Sequence, residues 1–442
     1  MQSETTNGGG LLVSVGRFAI IALYFTISAD VLIINGWQYD SPGGTPFDKL
    51  HPATLVAFAL LPIMAAERGN PLTGLISLAN RHIRLLPFFL GIVFMIGYVT
   101  LVTKAPFTIF AETFLGPLVL LLMFEKLGQR EGKWLARLLH VLIVANALLG
   151  IYELVFSYHL TPYLVQGEPM LSDWRSTALL GHPLANASIV GSYVVVLALG
   201  GHKDLPGPLA LLFGSISFAS LFAFGGRAAT ALVIAGLLLI AFSRMVSIMR
   251  GQSFSLPNVI AVLVAAPLGA LAIYTIWEQG FFDLFIVRIS DDSGSASTRL
   301  ELFTLFNHLN WSDLLFLPDH AQIATWVNIL GLEYGIENFV ASFILSYGIV
   351  ASIVFLSALL HFCWQVALML RPNTGWAFVY FFGVALTSVS LSAKSPLFSL
   401  FIVLISVLMR VETVGAPHRQ GGDGVHAGNN RMRRRLILAD SP

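Results

Sequence analysis

Charge is what this sequence has least of. Lys and Arg number 25 and Asp and Glu 24 among 442 residues, 11% in all, where a soluble domain carries about 25%. So few charges cannot cover a water-facing surface. With 56% hydrophobic residues and a mean hydropathy of +0.78, the chain reads as an all-α polytopic membrane protein. A net charge of +1 argues against a nucleic-acid partner. Cysteine is nearly absent: Cys363 stands alone in an apolar run, so no internal disulfide is possible. A basic n-region is missing from the opening MQSETTNGGG, and the first apolar run, Leu11 to Ile34, is too long for a signal peptide, so it is expected to stay as an anchor. Walker, dinucleotide and GxSxG motifs are missing too. Asp291-Asp292 lacks the spacing of a calcium loop and the histidines lack zinc-finger spacing, so neither a structural metal nor a cofactor is expected.

What is present is long apolar runs. A helical span needs about 20 such residues. Candidates fall at roughly 11–35, 52–66, 85–103, 106–124, 134–157, 178–200, 207–224, 227–243, 257–277, 338–361, 375–392 and 395–410, about 12 in all. The run from Gly207 to Ser243 has 37 residues. As one helix it would be about 55 Å long, nearly twice the roughly 30 Å of hydrocarbon. It must therefore be two spans, turning at Gly225-Gly226.

With the N-terminus in the cytoplasm, eighteen of the 25 Lys and Arg fall inside and seven outside, the sense of the positive-inside bias. Both termini are then cytoplasmic. Residues 1–410 make the membrane domain, and 411–442, with its RMRRR run, reads as a disordered basic tail. Outer arginines run against the bias, and Arg175 and Arg227 sit at the outer ends of spans. The span acids Asp30, Glu112 and Glu153 also map to outer halves. A polar site opening to the outer face would explain the pattern. A transporter would more often place such groups near the midplane.

The outer loop, 278–336, is the only long connection. Its eight carboxylates face two arginines, Arg288 and Arg299. Loops of this length are uncommon unless functional. Thr298 to Glu301 fits a capping box, and Leu302, Phe303, Phe306 and Leu309 then share a face. The expectation is an amphipathic helix on the membrane surface over the cavity.

Two arginines at an outer membrane face suit a diphosphate. Guanidinium stays charged and grips phosphate oxygens with paired donors, and Gly225-Gly226 leaves backbone N–H groups free to approach an anion. Sugar transfer on that side must use a lipid-linked donor, whose leaving group is a lipid diphosphate. Two arginines could neutralise its developing charge without a metal.

An outer Arg before "GHPLANAS", an Arg at a helix-turn-helix tip in "FGGRAAT", a long external loop and then "GIENFVASFILSYGIVAS" follow in that order. Over about residues 170 to 350 this resembles the bacterial O-antigen ligase and Wzy-type polysaccharide polymerase superfamily. The resemblance implies a GT-C-like, metal-independent glycosyltransferase fold and an undecaprenyl-diphosphate-linked oligosaccharide as donor. It implies that Arg175 and Arg227 bind the diphosphate. Ligases of the superfamily carry His-Asn, nine residues and Gly after the loop. Here Glu337-Asn338 precede Gly348 with that spacing, and the exchange of His for Glu favours a polymerase. Glu337 could serve as general base toward a sugar hydroxyl. Glu333, four residues earlier, could share its helical face, and spacing leaves both open. Arg299 is a third candidate anion contact. Trp311 and Trp326 are candidate sugar platforms, and His320 and Asn338 candidate substrate contacts.

The expected function is a polysaccharide polymerase of the bacterial inner membrane. It would transfer glycan from undecaprenyl diphosphate to a lipid-linked repeat unit at the periplasmic face, alongside membrane lipid and other export or chain-length proteins. The alternatives are an O-antigen-type ligase and a glycan transporter or flippase. Plainer readings stand beside each residue. Arg227 could snorkel to lipid phosphate, Glu337 could cap a helix, His182 and Asn186 could join helices, and the tryptophans could be interface anchors.

Overall fold

The computed structural model describes residues 8–41, 43–66, 69–104, 106–165, 168–170, 173–251, 301–302, 304–332 and 336–411, with isolated positions between 274 and 287. Most of the span expected at 257–277 lies outside these, as do Arg288, Arg299, Glu333 and the tail from 412. The described residues belong to a compact unit, Met1–Val411.

They are mostly helical, with strand only in the two-residue pair Leu164–Val165 and Glu168–Pro169. Five helices are long and apolar enough to cross a membrane: Ile83–Thr103, Gln129–Phe156, Pro183–Gly201, Arg227–Met249 and Ile349–Met369. Six shorter apolar helices accompany them among the described residues. Twelve full spans are therefore not what the described residues contain. The outward surface agrees with a multi-pass membrane protein. Leu101, Leu238, Phe242, Leu360 and Trp364 are all exposed, and helices apolar all round belong in a membrane or a large core.

We number the helices used below in chain order: α1 Gly8–Thr26, α2 Ala29–Ile34, α3 Pro52–Ala66, α4 Gln129–Phe156, α5 Pro183–Val196, α6 Gly207–Ala223, α7 Arg227–Met249, α8 Phe339–Tyr347, α9 Ile349–Met369, α10 Thr374–Ala385 and α11 Leu397–Leu408. α5 is central, with nearly every residue from Asn186 to Val196 buried. It packs on α4, α6, α7, α10 and α11. α7 is peripheral, with only Ala229, Thr230 and Val233 buried.

The 37-residue run divides where expected. α6 stops at Ala223 and α7 starts at Arg227. Gly225 takes φ +62°, a left-handed value that glycine alone adopts without strain. Three other expected spans are interrupted. The first breaks after Thr26, and Ser28 caps α2 by accepting from the Val31 N–H at 3.2 Å. The span expected from 178 begins only at Pro183, because 178–182 is non-helical. The span expected from 338 is split at Gly348, with φ +85° and ψ 163°, a conformation essentially reserved for glycine.

That break is where the long loop docks. A Cβ on Gly348 would stand 2.8 Å from the Phe316 carbonyl oxygen. Tyr98 donates to the same carbonyl and lies 3.1 Å from the Tyr347 oxygen. Leu302, Leu305 and Leu309 are buried together with Ile323 and with Ala341 and Leu345 of α8. The loop's apolar face is thus covered by protein, and Leu305 occupies the stripe that Phe303, outside the described residues, was expected to share.

Candidate functional site

Residues 173–182 carry Arg175, and they are mostly buried without being helical. Backbone groups in that state need partners from elsewhere. Glu153 of α4 supplies two: its Oε2 accepts the Thr177 and Ala178 N–H groups, each at 2.9 Å. Its Oε1 accepts the Leu160 N–H at 2.9 Å. Asn146 accepts the Leu179 N–H at 2.9 Å and donates to Asn186 at 2.8 Å. Asn186 donates in turn to the Thr177 and His182 carbonyls. The Ser176 N–H reaches the Ala223 oxygen at 3.1 Å, tying the segment to the end of α6. Glu153 is therefore a clamp for the segment rather than a lining residue of a cavity. Glu112 is likewise consumed, accepting from the His51 N–H at 2.9 Å and the Thr54 hydroxyl at 2.7 Å.

This frame presses Arg175 onto the α6–α7 turn. A Cβ on Gly225 would lie 2.9 Å from Cγ and Cδ of Arg175. A Cβ on Gly226 would lie 2.5 Å from the Ala187 Cβ, so the turn also fits tightly against α5. Both glycines are needed for close approach, and Gly225 for its φ as well. Arg227 follows at the first position of α7, with its N–H 3.1 Å from the Gly225 oxygen.

Arg175, Arg227 and Glu337 line one small cavity, with Gly225, Gly226 and Ser388 among its other walls. Three widely separated stretches of sequence meet there. The cavity is small, with a volume of about 50 Å³. Arg175 is not held by the cavity alone. Asp173 accepts from its Nε at 2.8 and 2.9 Å and also from its Nη2. Its guanidinium lies 5.3 Å from the Tyr163 ring centre. Burial raises the Tyr163 phenol above its ordinary pKa, and the Arg175 charge opposes the rise. Asp173 and Tyr163 were not singled out in the sequence; the only signal was an acid two residues before Arg175.

The other expected residues lie apart. Asn338 caps α8, its Oδ1 accepting from the Val340 and Ala341 N–H groups at 3.1 Å. That cap delivers Glu337, the residue just before it, to the cavity. Trp311 and His320 are exposed, each the first residue of a helix (Trp311–Leu315 and His320–Ile329), and are absent from the cavity wall. His308 stacks on Trp326 at 3.9 Å, which covers one face of that expected platform. Arg299 and Glu333 fall outside the described residues.

Arginines elsewhere serve the scaffold. Arg17 pairs with Glu131 at 3.0 Å and binds the Met123 oxygen. Arg410 pairs with Asp204 at 2.8 Å and binds the Val407 oxygen. Arg371 donates to the Gly200 oxygen at 3.0 Å. Among the described residues, no group of three or more His, Cys, Asp and Glu gathers as metal ligands. Compared with known families and curated proteins, the chain matches no family model and no curated protein.

Proposed function

We propose that this protein is a membrane-embedded glycosyltransferase that takes glycan from a polyprenyl diphosphate, in the manner of a polysaccharide polymerase. The single observation that supports this reading is the shared cavity of Arg175, Arg227 and Glu337. Two guanidinium groups beside one backbone turn suit the oxygens of a diphosphate. Their charge matters most as the diphosphate leaves, because the leaving group then carries more negative charge than in the bound donor. Glu337 stands at the same cavity, where it accepts the proton of the incoming sugar hydroxyl. The acceptor is a lipid-linked repeat unit, and transfer takes place at the non-cytoplasmic face of the bacterial inner membrane.

The test is replacement of Arg227 by Lys and by Ala, with polymer length read on gels. Lys keeps one charge but loses the paired donors, so it should shorten the polymer, and Ala should abolish it. Full-length polymer from both variants ends the diphosphate role. Loss of the protein should leave single repeat units on the carrier. Finished long chains on the carrier would instead identify a ligase.

A further inference from the structure

Beside the arginine cavity lies a second one of about 240 Å³, and Leu184 and Ser388 form walls of both. Its ionisable lining comes from Asp30, Asp40, His182 and Lys394. Asp40 and Lys394 answer each other at 3.5 Å. Lys394 also lies 3.8 Å from the Tyr39 ring centre and donates to the Tyr39 carbonyl. Asp30 differs. Its Oδ2 is buried and has no hydrogen-bond partner, and it stands where a Cβ on Gly181 would be 3.1 Å away. A buried carboxylate oxygen without a donor is expensive, so its position asks for a ligand that brings one. His182 accepts the Leu184 N–H at Nδ1, 3.2 Å away, which leaves Nε2 as an N–H donor.

The two cavities differ in their charged groups: guanidinium groups line the first, Arg175 being paired with Asp173, and two aspartates outnumber Lys394 in the second. A third cavity, of about 490 Å³, continues from the second through the shared Asp40, Ala393 and Lys394. The second cavity thus adjoins both of the others.

We propose that the acid-lined cavity is the subsite for the sugar joined directly to the diphosphate, with Asp30 facing that sugar, and that the third cavity leads the rest of the glycan away. This rests on the reading of the arginine cavity as a diphosphate site. Connectivity supplies the first reason: the anomeric carbon is bonded to a diphosphate oxygen, so its sugar occupies the adjoining volume. Chemistry supplies the second. A sugar is neutral and brings O–H donors to Asp30, whereas a further phosphate would meet an excess of carboxylate. Size supplies the third: at 240 Å³ this cavity is several times larger than the arginine cavity and has room for a monosaccharide.

The charges also match the reaction. As the bond from the anomeric carbon to the diphosphate oxygen breaks, its electron pair leaves with the diphosphate, and positive charge builds on the sugar ring. The arginines face the departing anion and Asp30 the developing cation. The acceptor oxygen forms the new bond to the anomeric carbon and gives its proton to Glu337.

The test uses full-length protein in nanodiscs, titrated with farnesyl diphosphate and, separately, with lipid-linked glycan extracted from cells lacking the protein. The variants are Asp30→Asn, Ala185→Phe and Arg227→Ala. Ala185 lines the second cavity and not the first, so Phe there fills one and spares the other, and it carries the test if Asp30→Asn does not fold. Asp30→Asn and Ala185→Phe should bind farnesyl diphosphate as the unaltered protein does, and the extracted glycan lipid about tenfold more weakly or worse. Arg227→Ala should lose both ligands. If the two second-cavity variants bind and turn over the glycan lipid normally while Arg227→Ala loses farnesyl diphosphate, the subsite assignment is overturned and the diphosphate reading stands. If farnesyl diphosphate binds without dependence on Arg227, the diphosphate reading fails and the subsite falls with it.

Discussion

Glu153 and Asp30 look alike in the sequence, each a lone acid in an apolar stretch, and the structure uses them in opposite ways. Around Glu153 every carboxylate oxygen is engaged. Three backbone N–H groups converge on it, and a non-helical segment is held in place as a result. Around Asp30 one oxygen is left without a donor at the edge of a cavity. A buried charge with its hydrogen bonds made is scaffold, and one with a bond still to make is a place for a ligand. Among the arginines, Arg17 and Arg410 join carboxylates to carbonyls within the bundle, while Arg175, itself paired with Asp173, and Arg227 also line a cavity.

The contrast can be broken most directly at Glu153. Glu153→Ala leaves three N–H groups without their acceptor, at about 1–3 kcal/mol each when buried. Thermal unfolding in detergent should show a loss of roughly 3 kcal/mol or more, and a protein as stable as the unaltered one would remove the clamp. Next in size is Gly225→Ala. Its φ of +62° makes a side chain cost about 1–2 kcal/mol, and the new Cβ would press on Arg175. Farnesyl diphosphate binding should fall further than stability does; a melting shift with unchanged binding would separate the turn from the site.

Glu153→Gln sharpens the comparison, since it keeps one acceptor oxygen and turns the other into a donor facing N–H groups. A melting loss between those of the unaltered protein and Glu153→Ala is expected, about 1–3 kcal/mol. Asp30→Asn should move stability least, within about 0.5 kcal/mol, or raise it slightly, because a buried charge is removed and no bond at Oδ2 is lost. A large melting loss for this variant would place Asp30 in the scaffold beside Glu153.

Much of the helical layout was legible, because apolar run length and glycine position are local properties. The turn at Gly225-Gly226 followed from a run too long for one span. Interruptions at Gly348 and after Thr26 were not legible. Each break is met by a distant segment: the Ile27 carbonyl lies 2.6 Å from the His51 ring nitrogen, and Gly348 leaves room for the carbonyls of Leu315 and Phe316. For the site, Arg175 and Arg227 stood out as charges where charge is scarce, and Glu337 through the resemblance, by its spacing to Gly348. Asp173 and Tyr163 did not, because nothing in their spacing says which arginine they will meet. Nor did the sequence show that His308 stacks on Trp326 and covers one face of its ring.

By itself the sequence determined that the chain builds apolar helices, where the long run turns, and which few charges require an explanation. Those outcomes depend on hydrophobicity, run length and backbone freedom, each set within a few residues. Only the tertiary structure decided which buried acids are consumed by backbone donors, that Arg175 and Arg227 meet Glu337 at one cavity, and that an acid-lined cavity adjoins it. Each of those outcomes depends on which segments the fold brings together, and a linear pattern holds no record of that.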